Sequence, residues 1–353
     1  MPRMFIKLRA VLALGLIALS AAPLMAAPQA LVKGLTYATA FEVLPHDQFL
    51  IAEKSGKILL ASANGTTHVW ADLTASTDSA GDAGLLGMAL DPHYAKNGYV
   101  YVSQTAQLDG KKSFRLIRMV SRQGHGVLDK VLWGGLPAAE QEPGGIVRVG
   151  PDGCLYWGVG TGGDADAAQD PKSLKGDLFR LKLDGTIPSD NPIPGSPVWS
   201  WGFRDPRGMA WNSDNGHMYG LDRGPKVVDG TMDELNLLEP DKNYGWPVIR
   251  GAEEQYGMVT SVIHCNSGHA WLPGGATFVS GGAWNDSLLF AGAGEGILYR
   301  LVFDRRYPRK IDFYQELING ELGPLTDVRQ GSHHEIYILS RTGLYRLREG
   351  DDS

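Results

Sequence analysis

One unit recurs along the chain: an apolar strand, a turn built on Asp, Gly, Pro or Asn, and a second strand opening with an aromatic. It appears in ATAFEVLPHDQFLIAEKSGKILL (38–60), GMALDPHYAKNGYVYV (87–102) and IVRVGPDGCLYWGV (146–159). It appears again in GMAWNSDNGHMYGL (208–221), ATFVSGGAWNDSLLFAGAGEGILYRL (276–301) and DVRQGSHHEIYILSRTGLYRL (327–347). Alternation of apolar and polar residues around a turn signal is the pattern of a β-hairpin, whose strands show opposite faces to core and solvent. Spread over the 326 residues (353 − 27) that follow a 27-residue leader, six copies leave about 54 residues each, the span of a four-stranded propeller blade. Glycine agrees, at 46 of 353 residues, well above the usual share of roughly 7%. The expected fold is all-β, a six-bladed β-propeller, with residues 28–353 as one domain and no linker or low-complexity stretch to divide them.

The first 27 residues place Arg3, Lys7 and Arg9 before a short apolar run, Val11 to Leu19, and then small residues through Ala27. That order predicts a cleaved signal peptide and a periplasmic or secreted protein. A membrane anchor needs about 20 apolar residues, so no span is expected after cleavage. The formal charge of −6 becomes more negative once the basic leader is gone, which gives no electrostatic footprint for nucleic acid. An exported chain meets an oxidising compartment, so Cys154 and Cys265 either pair or stay as two buried thiols.

Propeller ligands usually sit at one channel mouth, on connecting loops. The long candidates are Gly160–Pro197, Asp222–Asn243 and Arg250–Gly275, all rich in Asp, Arg, Gly and Pro. The blocks GLLGMALDPHYAKNGYVYV, VRVGPDGCLYWGVG, AAQDPKSLKGDLFRLKLDG, WSWGFRDPRGMAW, LDRGP and DELNLLEPDKNYGWP follow in one order. Together they resemble the soluble pyrroloquinoline-quinone (PQQ) dehydrogenases of the glucose/sorbosone dehydrogenase family, from about Leu35 to Leu347. The resemblance implies oxidation of the C1 hydroxyl of an aldose or related polyol, PQQ and Ca²⁺ at the channel mouth, and a periplasmic electron acceptor.

The family's catalytic histidine falls on Glu142, a carboxylate whose ordinary pKa near 4.3 makes it a weaker base than imidazole unless burial raises it. Cofactor contacts fall on Arg204 and Asp205, on Asp82, and on Glu295 and Thr326, the last two where the family carries cations; Pro324 likewise stands where an arginine is expected. Tyr256 is placed against the cofactor ring. Carbonyls of Gly224 and Pro225 are the implied calcium ligands, and Glu234 with Tyr244, ten residues on, the second calcium pair; oxygen-only donors suit a hard cation. The nearby cations read from the sequence are Arg204, Arg207 and Arg223, all from one blade. His264-Cys265-x3-His269 lacks a fourth zinc ligand at a recognisable spacing, His333-His334 reads as a solvated turn, and Asp164, Asp166 and Asp170 read as backbone-bonded turn residues. The enzyme reading therefore stands beside a second one: a propeller of the same family that has lost PQQ and binds a sugar-like ligand.

Overall fold

A computed structural model describes residues 27–348 apart from 229, 266 and 267; the expected leader, save its last residue, lies outside them. The described residues form six four-stranded antiparallel sheets. Their innermost strands are Ala38–Leu44, Leu85–Leu90, Gly144–Val149, Pro206–Trp211, Pro273–Val279 and Leu325–Gln330. Each inner strand touches that of the next blade, and the sixth returns to the first. Every hairpin repeat of the sequence falls on one blade, its apolar positions packed between neighbouring sheets. Trp157, for example, is fully buried among Phe114, Phe179 and Leu181.

The ring closes through a strand that the repeat does not contain. Gln29–Lys33 lies antiparallel to Gly343–Leu347 and supplies the fourth strand of blade 6. Backbone bonds from Leu35 N to Thr342 O (3.1 Å) and from Ala38 N to Arg341 O (3.0 Å) continue the clasp into blade 1. A further departure concerns the long stretches. Gly160–Pro197 contains a strand of blade 3, Asp177–Leu181, and Asp222–Asn243 contains a strand of blade 4, Glu234–Leu238. Both are connections within a blade rather than between blades. Cys154 and Cys265 are free thiols in separate core clusters, so the first alternative, a disulfide, is not formed.

All six inner strands share one irregularity. Near its start each is bulged against its neighbour, leaving out Thr39, Leu86, Gly145–Ile146, Arg207, Gly274–Gly275 and Thr326 from regular pairing. A bulge leaves the extra residue unpaired and re-aims its side chain. Here it turns six equivalent positions toward the axis.

Across the axis below them runs a buried ionic brace. Asp327 Oδ1 accepts from Arg148 Nη2 (3.3 Å), Arg329 Nη1 (2.6 Å) and the Val328 amide (2.9 Å). Arg329 Nη2 reaches Glu42 Oε1 at 3.3 Å, so blades 1, 3 and 6 are tied together. Gly275 has no alternative residue here, because a Cβ would lie 1.6 Å from Asp327 Oδ1. Among the described residues no helix is long and apolar enough to cross a membrane.

Candidate active site

The bulged positions open onto a cavity of about 810 Å³, counted to its open mouth, at one end of the channel. Thr39, Leu86, Ile146, Arg207, Gly274, Gly275 and Thr326 line it, so all six blades contribute. Apolar surface comes also from Leu272, Pro273 and Ala293, and charge from Lys54, Arg207, Arg223, Arg341, Asp82 and Asp327. Four cations against two carboxylates, one of which belongs to the brace, make this mouth a place for an anion with an apolar body.

The arginines that the sequence singled out are already matched by acids. Arg207 grips Asp205 with Nε to Oδ1 and Nη2 to Oδ2, both at 2.9 Å. Arg223 Nη1 lies 3.3 Å from Asp82 Oδ1 and 3.9 Å from Asp205 Oδ2. Asp205 is fully buried and also accepts the Gly144 amide at 2.8 Å, which locks blade 3 to blade 4. Asp222 accepts the amides of Arg204 (2.8 Å) and Asp205 (2.7 Å), and burial pushes its carboxyl well above the usual range.

Glu142 and Arg204 meet, but in a pair of their own. Arg204 Nη2 donates to Glu142 Oε1 at 2.5 Å, while Thr161 Oγ1 and the Gly163 amide (3.2 Å) donate to Oε2. Neither Glu142 nor Arg204 is among the residues lining the cavity. Asp205 stands behind its wall. Glu295 is bonded instead to His269 (3.3 Å), and Tyr256 is fully exposed on the 250–262 loop and not among the residues lining the cavity. Of the expected cofactor contacts, Asp82 and Thr326 reach the cavity.

The calcium ligands can be tested on their donors. Gly224 O accepts Arg204 Nη1 at 2.8 Å, and Pro225 O accepts the Met232 amide at 3.0 Å. A guanidinium already fills the position between the carbonyls of Arg223 and Gly224, so a divalent cation does not fit there. Glu234 Oε1 accepts the Gly251 amide at 2.5 Å, and burial lifts this carboxyl to about 7. The Tyr244 hydroxyl donates to Leu237 O and accepts from the Glu239 amide, each at 2.8 Å. The hydroxyl therefore lies beside Leu237, three residues along the strand that Glu234 begins, and is engaged by main-chain partners of its own. Among the described residues no three His, Cys, Asp or Glu side chains gather as a metal site, which covers the His264, Cys265 and His269 grouping too.

The lining suits PQQ, a flat aromatic ring carrying three carboxylates, because it offers both apolar side chains and four cations. Two of those cations, Lys54 and Arg341, were not legible in the sequence. They come from blades 1 and 6, so the cations of the mouth are not confined to one blade.

The sequence profile of the Glucose / Sorbosone dehydrogenase family matches residues 35–347. A solved structure described as a putative oxidoreductase (glucose dehydrogenase) from Thermus thermophilus is 30% identical over 92% of this chain and 99% of its own, with a TM-score of 0.81. The PQQ-bound form of aldose sugar dehydrogenase from Streptomyces coelicolor is 26% identical over 91% and 96% of the two chains, with a TM-score of 0.80. Quinoprotein glucose dehydrogenase B of Acinetobacter calcoaceticus is 29% identical over 60% of this chain and 50% of its own length. A profile match across nearly every blade, with the same fold in solved relatives, settles the grouping: the chain belongs to the glucose/sorbosone dehydrogenase family.

Proposed function

We propose that this protein is a PQQ-dependent dehydrogenase that oxidises the C1 hydroxyl of an aldose or related polyol in the periplasm. The observation that carries the reading is the channel-mouth cavity, a cationic and partly apolar chamber to which all six blades contribute a residue. When bound, PQQ would supply a quinone that accepts a hydride, two electrons and one proton together, from the alcohol carbon. Arg207 and Arg223, held in place by Asp205 and Asp82, orient its carboxylates. Leu86, Ile146 and Leu272 exclude water from the ring faces.

The hydroxyl proton needs an acceptor inside the chamber. Asp82 lines it, with Oδ1 toward Arg223, and takes the proton on Oδ2 in this reading. Glu142 is assigned the positioning of Arg204, because its oxygens are engaged by Arg204, Thr161 and Gly163. Calcium has no part in this reading, since Arg204 and Met232 engage the implied carbonyls. Electrons then leave to a periplasmic acceptor.

That locked Glu142–Arg204 pair favours a second reading, a sugar-binding propeller without quinone chemistry. Titration of the purified protein with PQQ, followed by aldose-dependent reduction of a dye, separates the two. Stoichiometric binding and turnover support the dehydrogenase; sugar binding without PQQ uptake supports the second reading.

A further inference from the structure

Among the four cations of the chamber, two are neutralised within the protein and two are not. Arg207 and Arg223 face carboxylates at 2.9 and 3.3 Å. Arg341 makes no ion pair among the described residues, and its Nε is buried without a hydrogen-bond partner. Lys54 donates to two neutral carbonyls, Ser79 O at 2.8 Å and Gly81 O at 2.6 Å, which hold the ammonium in position without cancelling its charge.

Both side chains bear on one ring. The Arg341 guanidinium lies 4.4 Å from the Tyr37 ring centroid and the Lys54 ammonium 5.1 Å from it. Tyr37 itself has a φ of +54°, a left-handed backbone that a bulky residue adopts only at a cost, so the fold is holding it there. Cation–π contact offsets part of the mutual repulsion of two like charges but leaves their net charge of two intact. Burial lowers the Lys54 ammonium below its usual value, Asp82 opposes that, and Arg341 and Arg207 add to it. The repulsion from Arg341 and Arg207 marks a cluster of positive charge around Lys54. Both side chains are half-buried at an open mouth, where a bound carboxylate can supply the counter-charge that they lack at ion-pair distance.

We propose that Lys54 and Arg341, set against Tyr37, form the carboxylate-binding wall of the channel mouth. This wall takes over the neutralising role that Glu295, Pro324 and Thr326 do not perform in this chain. The inference rests on the reading of the chamber as a site for an anionic aromatic cofactor, and it adds residues of blades 1 and 6 to the carboxylate recognition that Arg207 and Arg223 provide from blade 4. A guanidinium presents two parallel N–H donors to a carboxylate, and an ammonium a point charge beside it.

The test is calorimetric titration at low salt with two probes, PQQ and benzene-1,3,5-tricarboxylate, which has the carboxylates without the quinone. Wild type is compared with Lys54→Met, Arg341→Met, the double variant, and the charge-keeping Lys54→Arg and Arg341→Lys. Each Met variant is expected to weaken both probes roughly tenfold and the double variant roughly a hundredfold. The charge-keeping variants are expected to regain most of that loss, which separates charge recognition from misfolding. If wild type binds PQQ tightly and the double variant binds it within threefold, the wall is wrong and the cofactor reading stands. If wild type ignores PQQ but binds the tricarboxylate, and the Met variants lose it, the wall stands and the cofactor reading falls. Failure of wild type to bind either probe overturns both.

Discussion

Two groups of charge sit in the same channel, one directly above the other, and they are built on opposite principles. In the brace, Arg148 and Arg329 are met by Asp327 and Glu42, so two cations face two anions. Each Arg also donates to main-chain carbonyls, Arg148 to Met88 O and Val147 O and Arg329 to Val328 O. At the wall, Lys54 bonds to two carbonyls and shares the Tyr37 ring with Arg341, and among the described residues no acid forms an ion pair with either. A buried charge with a full set of partners holds the fold together, whereas one left without a counter-ion is useful only when something else supplies it. Asp327 belongs to both regions, as the hub of the brace and part of the chamber floor.

The largest expected effect breaks the brace. Asp327→Ala leaves Arg148 and Arg329 with Glu42 alone, and removing one partner of a buried ionic group costs about 3–5 kcal/mol. Urea unfolding should show that loss, and an unchanged midpoint would mean that the cluster does not hold the blades. Next comes the pair beside the chamber. Glu142→Gln should lower stability by about 1–3 kcal/mol through the weakened bond to Arg204, while PQQ affinity changes less than threefold. A tenfold drop in affinity at unchanged stability would move Glu142 into the site. A smaller effect concerns Asp177, fully buried with neither oxygen partnered, whose carboxyl is pushed well above 3.8 by burial. The folded state keeps a proton that the unfolded chain releases, so stability falls as pH rises past about 3.8. Asp177→Asn should therefore be more stable than wild type by about 1 kcal/mol at pH 8, with the gain gone near pH 3. Parallel pH profiles for the two proteins would show that Asp177 is charged or partnered in solution. The smallest expected effect is none: a chelator should leave both melting temperature and PQQ affinity unchanged, and a clear loss of either would restore calcium to the site.

The blades were legible because each hairpin repeats its own pattern locally, with alternation and turn residues within about twenty positions. Arg204, Asp205 and Asp82 could be named because they lie in contiguous family-like blocks. Their partners could not be. Whether Arg204 faces a cofactor or Glu142 is decided by the packing of blade 3 on blade 4, and linear spacing carries no record of that. The bulge that turns Thr39, Leu86, Arg207 and Thr326 inward leaves only the weak signal of a Gly or small residue near a strand start. Lys54 and Arg341 were furthest from view, on hairpin turns at opposite ends of the chain. The calcium expectation had a related weakness: a Gly-Pro pair keeps its carbonyls whatever its neighbours, and here Arg204 donates to Gly224 O and the Met232 amide to Pro225 O.

The clasp between blade 6 and the N-terminal strand also sets an order in time. Tyr37 and Lys54 leave the ribosome early, yet Arg341 joins them only after nearly the whole chain has been made and Gln29–Lys33 has paired with Gly343–Leu347. The Ala38–Arg341 backbone bond that brings the two ends together forms in the same step. Five folded blades would still present an incomplete chamber, with one wall of charge missing. Ligand competence is thus the last property the molecule acquires, and an anion that prefers the finished chamber stabilises the closed ring over one whose final strand has come undone.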